Sequence, residues 1–105
     1  MFKRKNNKNK TDTEKDNNII TSIDLMQDEF KVLINSFFLA SKFSSKCSKY
    51  DADITISDGK FVLNAKSLLC VLSLDLMKWL TVKIHTDEKD VIHKFNKEML
   101  QFRIG

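Results

Sequence analysis

Between Glu29 and Phe43, apolar side chains fall at Phe30, Leu33, Ile34, Phe37 and Ala40, the three-and-four spacing of a helix with one buried face. Gln27 or Asp28 stands where an N-cap would be useful. Before it, Ile19 to Ile23 is β-branched and predicts a first strand. After it, Asp53-Ile54-Thr55-Ile56-Ser57 alternates, and Asp58-Gly59 gives a hairpin turn. Phe61 and Leu63 continue the alternation on the returning strand. Leu68 to Leu74 is too short and leucine-rich for a strand and predicts a two-turn helix capped by Ser67, with Leu69 and Val71 inside. Leu80, Val82 and Ile84 alternate with Trp79, Thr81, Lys83 and His85 in a fourth strand. Val91, Ile92, Phe95, Met99 and Phe102 mark a closing amphipathic helix, with Asp87, Glu88 and Asp90 at its start. The predicted order is βαββαβα. That order implies an α+β, open-faced two-layer β-sandwich, with a four-stranded antiparallel sheet covered by three helices on one face.

Residues 1–17 fall outside this pattern. They are Lys- and Asn-rich, with one apolar side chain beyond the initiator Met, and predict a disordered basic tail ahead of a domain at 18–105. The tail also changes the meaning of the net charge of +4. Residues 1–16 carry six Lys or Arg against three acids, so the domain itself is close to neutral. A nucleic-acid-binding domain would carry its own basic face, and none is expected here. No apolar run reaches the ~20 residues of a bilayer span, so no membrane insertion is expected. Cys47 and Cys70 lie outside any CxxC pair and read as reduced thiols of a cytoplasmic protein. Metal clusters, nucleotide loops and nucleophile–base pairs are missing from the pattern. The expectation is therefore a non-enzymatic protein with no catalytic residue, no metal and no cofactor.

The segment Gly59 to Leu74, GKFVLNAKSLLCVLSL, resembles the stretch around the regulatory serine of HPr, the phosphocarrier of the bacterial sugar phosphotransferase system. Ala40-Ser41-Lys42-Phe43 is similar to the end of that family's first helix, and Ile54 to Gly59 to the strand and hairpin that follow. The resemblance implies the same βαββαβα fold. It also implies a departure. In HPr the first helix opens on a G-L-H-A-R-P signature, whose histidine carries the phosphoryl group and whose arginine helps neutralise it. Counting back from Ala40 puts the histidine position at Glu29, or Asp28 if the register slips by one, and the arginine position at Lys31. Neither His85 nor His93 fills the gap, since both read as solvated surface residues.

Several functional expectations follow from the resemblance. Relay of a phosphoryl group is not expected, because it needs an exposed neutral imidazole as nucleophile. A carboxylate at Glu29 would instead sit in the helix's N-terminal field, either as simple end-stabilising charge or as a weak, permanent imitation of the charged carrier. Ser67 matches the serine that HPr kinase phosphorylates in relatives, whose product works with the catabolite control repressor. Leu68, Cys70 and Leu72 match the family's apolar docking face toward phosphotransferase-system proteins. The expected protein is a monomeric regulator acting by docking. The alternatives are a carrier using Glu29 or Asp28 as acceptor and an interaction module unconnected to phosphotransfer.

Overall fold

The structure, a computed structural model of the chain, describes residues 24–103. Seven elements follow in the order β1 (Glu29–Val32), α1 (Phe37–Cys47), β2 (Asp53–Ser57), β3 (Val62–Asn64), α2 (Leu68–Leu72), β4 (Leu80–His85) and α3 (Lys89–Glu98). The strands form one antiparallel sheet in the order β1-β4-β2-β3. Inward positions Phe30, Val32, Ile54, Ile56, Leu80, Val82 and Ile84 share a single core with Ala40, Phe43 and Cys47 of α1, Val71 of α2, and Ile92 and Phe95 of α3. The alternate strand positions face solvent, so the helices cover one face and leave the other open. This is the α+β open-faced sandwich that the pattern predicts.

Where the chain makes its first helix differs from expectation. Residues 29–32 are strand, with Glu29 and Lys31 exposed and Phe30 and Val32 buried. The helix begins at least eight residues later than its capping signals suggested, its cap falling at Ser36 instead of Asp28 or Gln27. Phe30, Leu33, Ile34 and Phe37 fit helical spacing, but Phe30, Val32 and Ile34 also alternate with period two, and pairing with β4 decides the outcome. Asn35 then takes a left-handed conformation (φ 50°), which ends the extended run. Ser36 caps the helix, its Oγ accepting the Leu39 N–H at 3.0 Å. The buried stripe of α1 is Ala40, Phe43, Ser44 and Cys47, while Phe37 is exposed. The strand expected at Ile19–Ile23 and the tail at 1–17 lie outside the described residues.

The rest follows the sequence more closely. Gly59, at φ 101°, makes the hairpin turn, and Asp58 Oδ1 accepts the N–H groups of Lys60 (2.8 Å) and Phe61 (3.1 Å). Phe61 lies in the turn before β3, past the last pairing of Ser57 with Val62, and is exposed, while Leu63 opposite Ile56 takes the inward position. Trp79 precedes β4, which starts at Leu80. The C-terminal segment closes the core through aromatic contacts: Phe43–Phe102 at 5.5 Å, Phe30–Phe95 at 5.7 Å and Tyr50–Phe95 at 5.3 Å between centroids.

A buried polar cluster ties the beginning of the described chain to its end. Asn96, fully buried, donates through Nδ2 to the carbonyls of Gln27 (2.8 Å) and Ile92 (2.7 Å). Its Oδ1 accepts Arg103 Nη1 at 2.5 Å. Arg103 also donates to the Asp24 carbonyl (3.1 Å) and lies 4.2 Å from the Phe30 ring centroid. The approach of β1 is thereby fixed against α3.

Candidate functional site

The opening of α1 and the opening of α2 are the two places where chemistry concentrates. At α1 the local sequence is Asn35-Ser36-Phe37-Phe38-Leu39. The Asn35 N–H donates to the Leu76 carbonyl at 2.8 Å, so the loop after α2 is held against this opening. Phe37 and Phe38 both project into solvent, and Lys42 Nζ lies 5.5 Å from the Phe38 ring centroid. The Ser36 hydroxyl already accepts one N–H of the first turn, and no acidic side chain stands in that turn.

Glu29 and Lys31 do not open a helix. Both lie on β1, paired opposite Lys83 and Thr81 of β4, and Asp28 lies at the same end, its carbonyl accepting the Ile84 N–H at 2.9 Å. Ser36 is at the other end of the sheet, beyond Val32, which pairs with Leu80. The run from Leu80 to His85 measures about 17 Å at the usual strand rise. That length separates Glu29, Asp28 and His85 from the opening of α1. His85 sits at the end of β4 on the open face, its Nε2 3.0 Å from Thr55 Oγ1. His93 is exposed on α3. Both histidines therefore face solvent, as their sequence positions implied, and neither borders the first helix's opening turn.

Ser67 caps α2. Its backbone is extended (φ −96°, ψ 114°), and its Oγ accepts the Cys70 N–H at 3.3 Å. The peptide leading into it is held from the far end of α1: Lys66 Nζ donates to the Tyr50 carbonyl at 2.5 Å, and Ser48 Oγ donates to the Lys66 carbonyl at 3.3 Å. The same corner contains the buried Cys47, whose thiol burial pushes up to about 12. Beside it the Tyr50 hydroxyl donates to Glu98 Oε1 at 2.6 Å. Burial, and then that bond, raise the Tyr50 pKa.

On α2 the exposure runs differently from the sequence reading. Leu69 is the most exposed large apolar residue described, at 81%, where it was expected inside, whereas Val71 is fully buried. Leu68, Cys70 and Leu72 are half-buried, with Leu68 and Leu72 leaning on the core. In a helix of only five residues, one side chain suffices to anchor it, and Val71 takes that place. Sequence reasoning missed Ser36, Phe37, Phe38 and Leu69. The signal for the first three was a serine three residues before Leu39, a cap pattern as good as the one chosen upstream.

No helix among the described residues is long and apolar enough to cross a membrane. Among the same residues, no group of three or more His, Cys, Asp or Glu could hold a metal ion.

Comparison with known proteins bears on this arrangement. A family model described as the PTS HPr component phosphorylation site matches residues 39–97, more than half of the chain. Among solved structures, the chain is similar to HPr-C-His from Thermoanaerobacter tengcongensis, with 18% sequence identity and a TM-score of 0.58. That match covers 71% of this chain and 92% of the other. No curated protein matches the sequence.

Proposed function

The chain belongs to the HPr family of phosphotransferase-system phosphocarriers, and from that premise we propose that it is a non-enzymatic regulator without a phosphoacceptor histidine, acting through protein docking and through phosphorylation of Ser67. The observation that carries the reading is the opening of α1. The expected register placed Ala40-Ser41-Lys42-Phe43 at the helix end, but the helix ends on Cys47, followed by Ser48-Lys49-Tyr50, a second Ser-Lys-aromatic run. Taking Cys47 in place of Ala40 moves the histidine position from Glu29 to Ser36, the observed cap, and the arginine position from Lys31 to Phe38. A serine ester of phosphate is stable and does not pass the group onward as an imidazole does. Phe38 brings no charge to neutralise a phosphate. The domain keeps the scaffold and gives up the relay.

The same geometry weighs against a carboxylate carrier. Glu29 and Asp28 are strand-end residues at the opposite end of the sheet from the helix opening, so neither enjoys a helix N-terminal field.

Ser67 supports the regulatory half of the proposal. A phosphate on its Oγ would place about two negative charges at the start of α2, where no acidic side chain stands in the first turn. The docking surface is Leu68, Cys70 and Leu72 with the projecting Leu69. The partners are phosphotransferase-system proteins, with HPr kinase and the catabolite control repressor as the specific candidates, and the site of action is the cytoplasm.

Incubation with HPr kinase and ATP, followed by intact-mass and fragment-mass measurement, tests the reading. One stable phosphate on Ser67, absent from Ser67→Ala, is the expected result. Parallel incubation with enzyme I and phosphoenolpyruvate should leave the chain unlabelled. A label lost in mild acid or hydroxylamine would overturn the loss of relay, and failure of Ser67 to take phosphate would leave an interaction module instead.

A further inference from the structure

Six of the eight exposed large apolar residues described belong to one end of the sheet. At this end β1 stops at Val32, β4 starts at Leu80, β2 stops at Ser57 and β3 starts at Val62, as the pairings Val32–Leu80, Ser57–Thr81 and Ser57–Val62 require. Phe37 and Phe38 come from the opening of α1, Phe61 and Val62 from the hairpin, and Met77 and Trp79 from the loop before β4. Trp79 is 40% exposed and the other five 63–72%. Three strand spacings separate β1 from β3, so these tips spread over about 15 Å. None of the aromatic tips, nor Met77, borders a cavity among those found.

Charge is arranged around this tip in a definite sense. Lys60 precedes Phe61 and Lys78 lies between Met77 and Trp79, all exposed. Two exposed acids stand nearby, Asp58, which accepts from the Lys60 and Phe61 N–H groups, and Asp75, whose Oδ1 accepts the Met77 N–H at 3.0 Å, against three lysines once Lys42 beside the Phe38 ring is counted with Lys60 and Lys78. At the opposite end of the sheet, carboxylates where β1 begins (Asp28, Glu29), where β2 begins (Asp51, Asp53) and where α3 begins (Asp87, Glu88, Asp90) outnumber the lysines among them, Lys49, Lys83 and Lys89.

We propose that this end of the sheet docks onto an anionic membrane surface, with Phe37, Phe38, Phe61, Met77 and Trp79 entering the interfacial layer and Lys60 and Lys78 meeting lipid phosphates. Separate convex tips without a pocket fit a soft medium that has no shape of its own, and aromatic rings beside lysines are the side chains that settle at that depth. The acidic far end is repelled by the same surface and sets the orientation. The expectation of no membrane insertion rested on the lack of a spanning run, and shallow docking requires none. The surface is distinct from Ser67 and its phosphorylation, so failure of one leaves the other standing.

The full chain is titrated with vesicles of phosphatidylcholine containing about one-third phosphatidylglycerol, and both co-sedimentation and Trp79 emission are read. Trp79 is the only tryptophan, so its emission reports this end alone. Docking predicts co-sedimentation together with a shift of Trp79 emission to shorter wavelength and quenching by brominated acyl chains. The Phe61→Ser/Met77→Ser double variant, which alters only exposed side chains, should weaken vesicle affinity at least about tenfold with an unchanged far-ultraviolet spectrum. Sedimentation with Trp79 unmoved would mean adsorption through the basic N-terminal residues and would overturn the proposal. No binding at all would overturn it too, leaving this end to a protein partner.

Discussion

Replacing Asn96 with alanine should be among the costliest single changes available in this domain, even though Asn96 is polar and lies on a helix. Its side chain makes three hydrogen bonds in full burial: to the carbonyls of Gln27 and Ile92 and from Arg103 Nη1. Ile92 loses little, since its carbonyl remains an acceptor within α3. Gln27 has its carbonyl stripped of a partner where the chain enters β1. Arg103 keeps Asp24 but loses its shortest bond, and its buried Nε already has no partner among the described groups. A net hydrogen bond is worth about 0.5–1.5 kcal/mol and a buried group left unpaired costs about 1–3 kcal/mol. The combination comes to roughly 3 kcal/mol. A domain of this size holds about 4–12 kcal/mol in all, so Asn96→Ala should lower the melting temperature by about 12–24 °C. Urea unfolding of the wild type, Asn96→Ala, Arg103→Met and the double variant measures both the loss and the coupling between the two side chains. A single-variant loss below about 1 kcal/mol, or additivity within about 0.3 kcal/mol, would show that the cluster does not hold the two ends of the chain together.

Three further outcomes are expected. Ser36→Ala should cost more stability than Ser67→Ala within the usual range of about 0.5–2 kcal/mol for a lost cap, because its bond is shorter and its helix longer; thermal unfolding ranks the two. At neutral pH iodoacetamide should label Cys70 and spare Cys47, and because burial pushes the Cys47 thiol up to about 12, the stability this residue contributes is present below about pH 8.5 and is lost as pH rises toward 12. Cys47→Ala should flatten that alkaline limb of an unfolding-versus-pH curve. Lys60 and then Phe61 N–H groups hold the Asp58 carboxyl below its usual range, so its contribution is present above about pH 4 and is lost as pH falls through the depressed value; Asp58→Ala should remove this part of the acid limb, and Asp58→Asn should leave the turn intact.

Strand alternation was readable because each strand buries a single face: Ile54 and Ile56, then Leu80, Val82 and Ile84, are all buried with more exposed partners between them. The Asp58-Gly59 turn and the Ser67 cap were readable because each depends on a local side-chain-to-backbone bond. The first helix was not readable in the same way. Reading Ala40-Ser41-Lys42-Phe43 at the end of a helix that closes on Cys47-Ser48-Lys49-Tyr50 is a slip of seven residues, close to two full turns, and such a shift keeps the apolar stripe on the same helical face. Only nonlocal facts separate the alternatives, namely the pairing of Phe30 with Val82 and the bond from Asn35 to Leu76. Leu69 was misplaced for a related reason. In a five-residue helix periodicity has no second turn to confirm which leucine faces inward.

That seven-residue error matters chemically, since it decides what occupies the point where a phosphoryl group would be held. With Glu29 there, the domain would carry a fixed negative charge in the helix's positive field and would compete with any incoming phosphate. With Ser36 there, the field is met by a neutral hydroxyl whose lone pair is directed at Leu39 N–H, and the remaining N–H groups of the first turn are flanked by two exposed phenyl rings. An anion approaching that opening would have to displace water from apolar surface with no cation supplied by Phe37 or Phe38 to offset its desolvation. The opening of α1 is therefore suited to apolar contact and poorly suited to a dianion. The opening of α2 is likewise free of acids, but it carries no aromatic rings, and Ser67 follows Lys66, whose ammonium is held by the Tyr50 carbonyl. If phosphate acts on this domain at all, the physics favours the second helix over the first, which inverts the division of labour expected of a carrier.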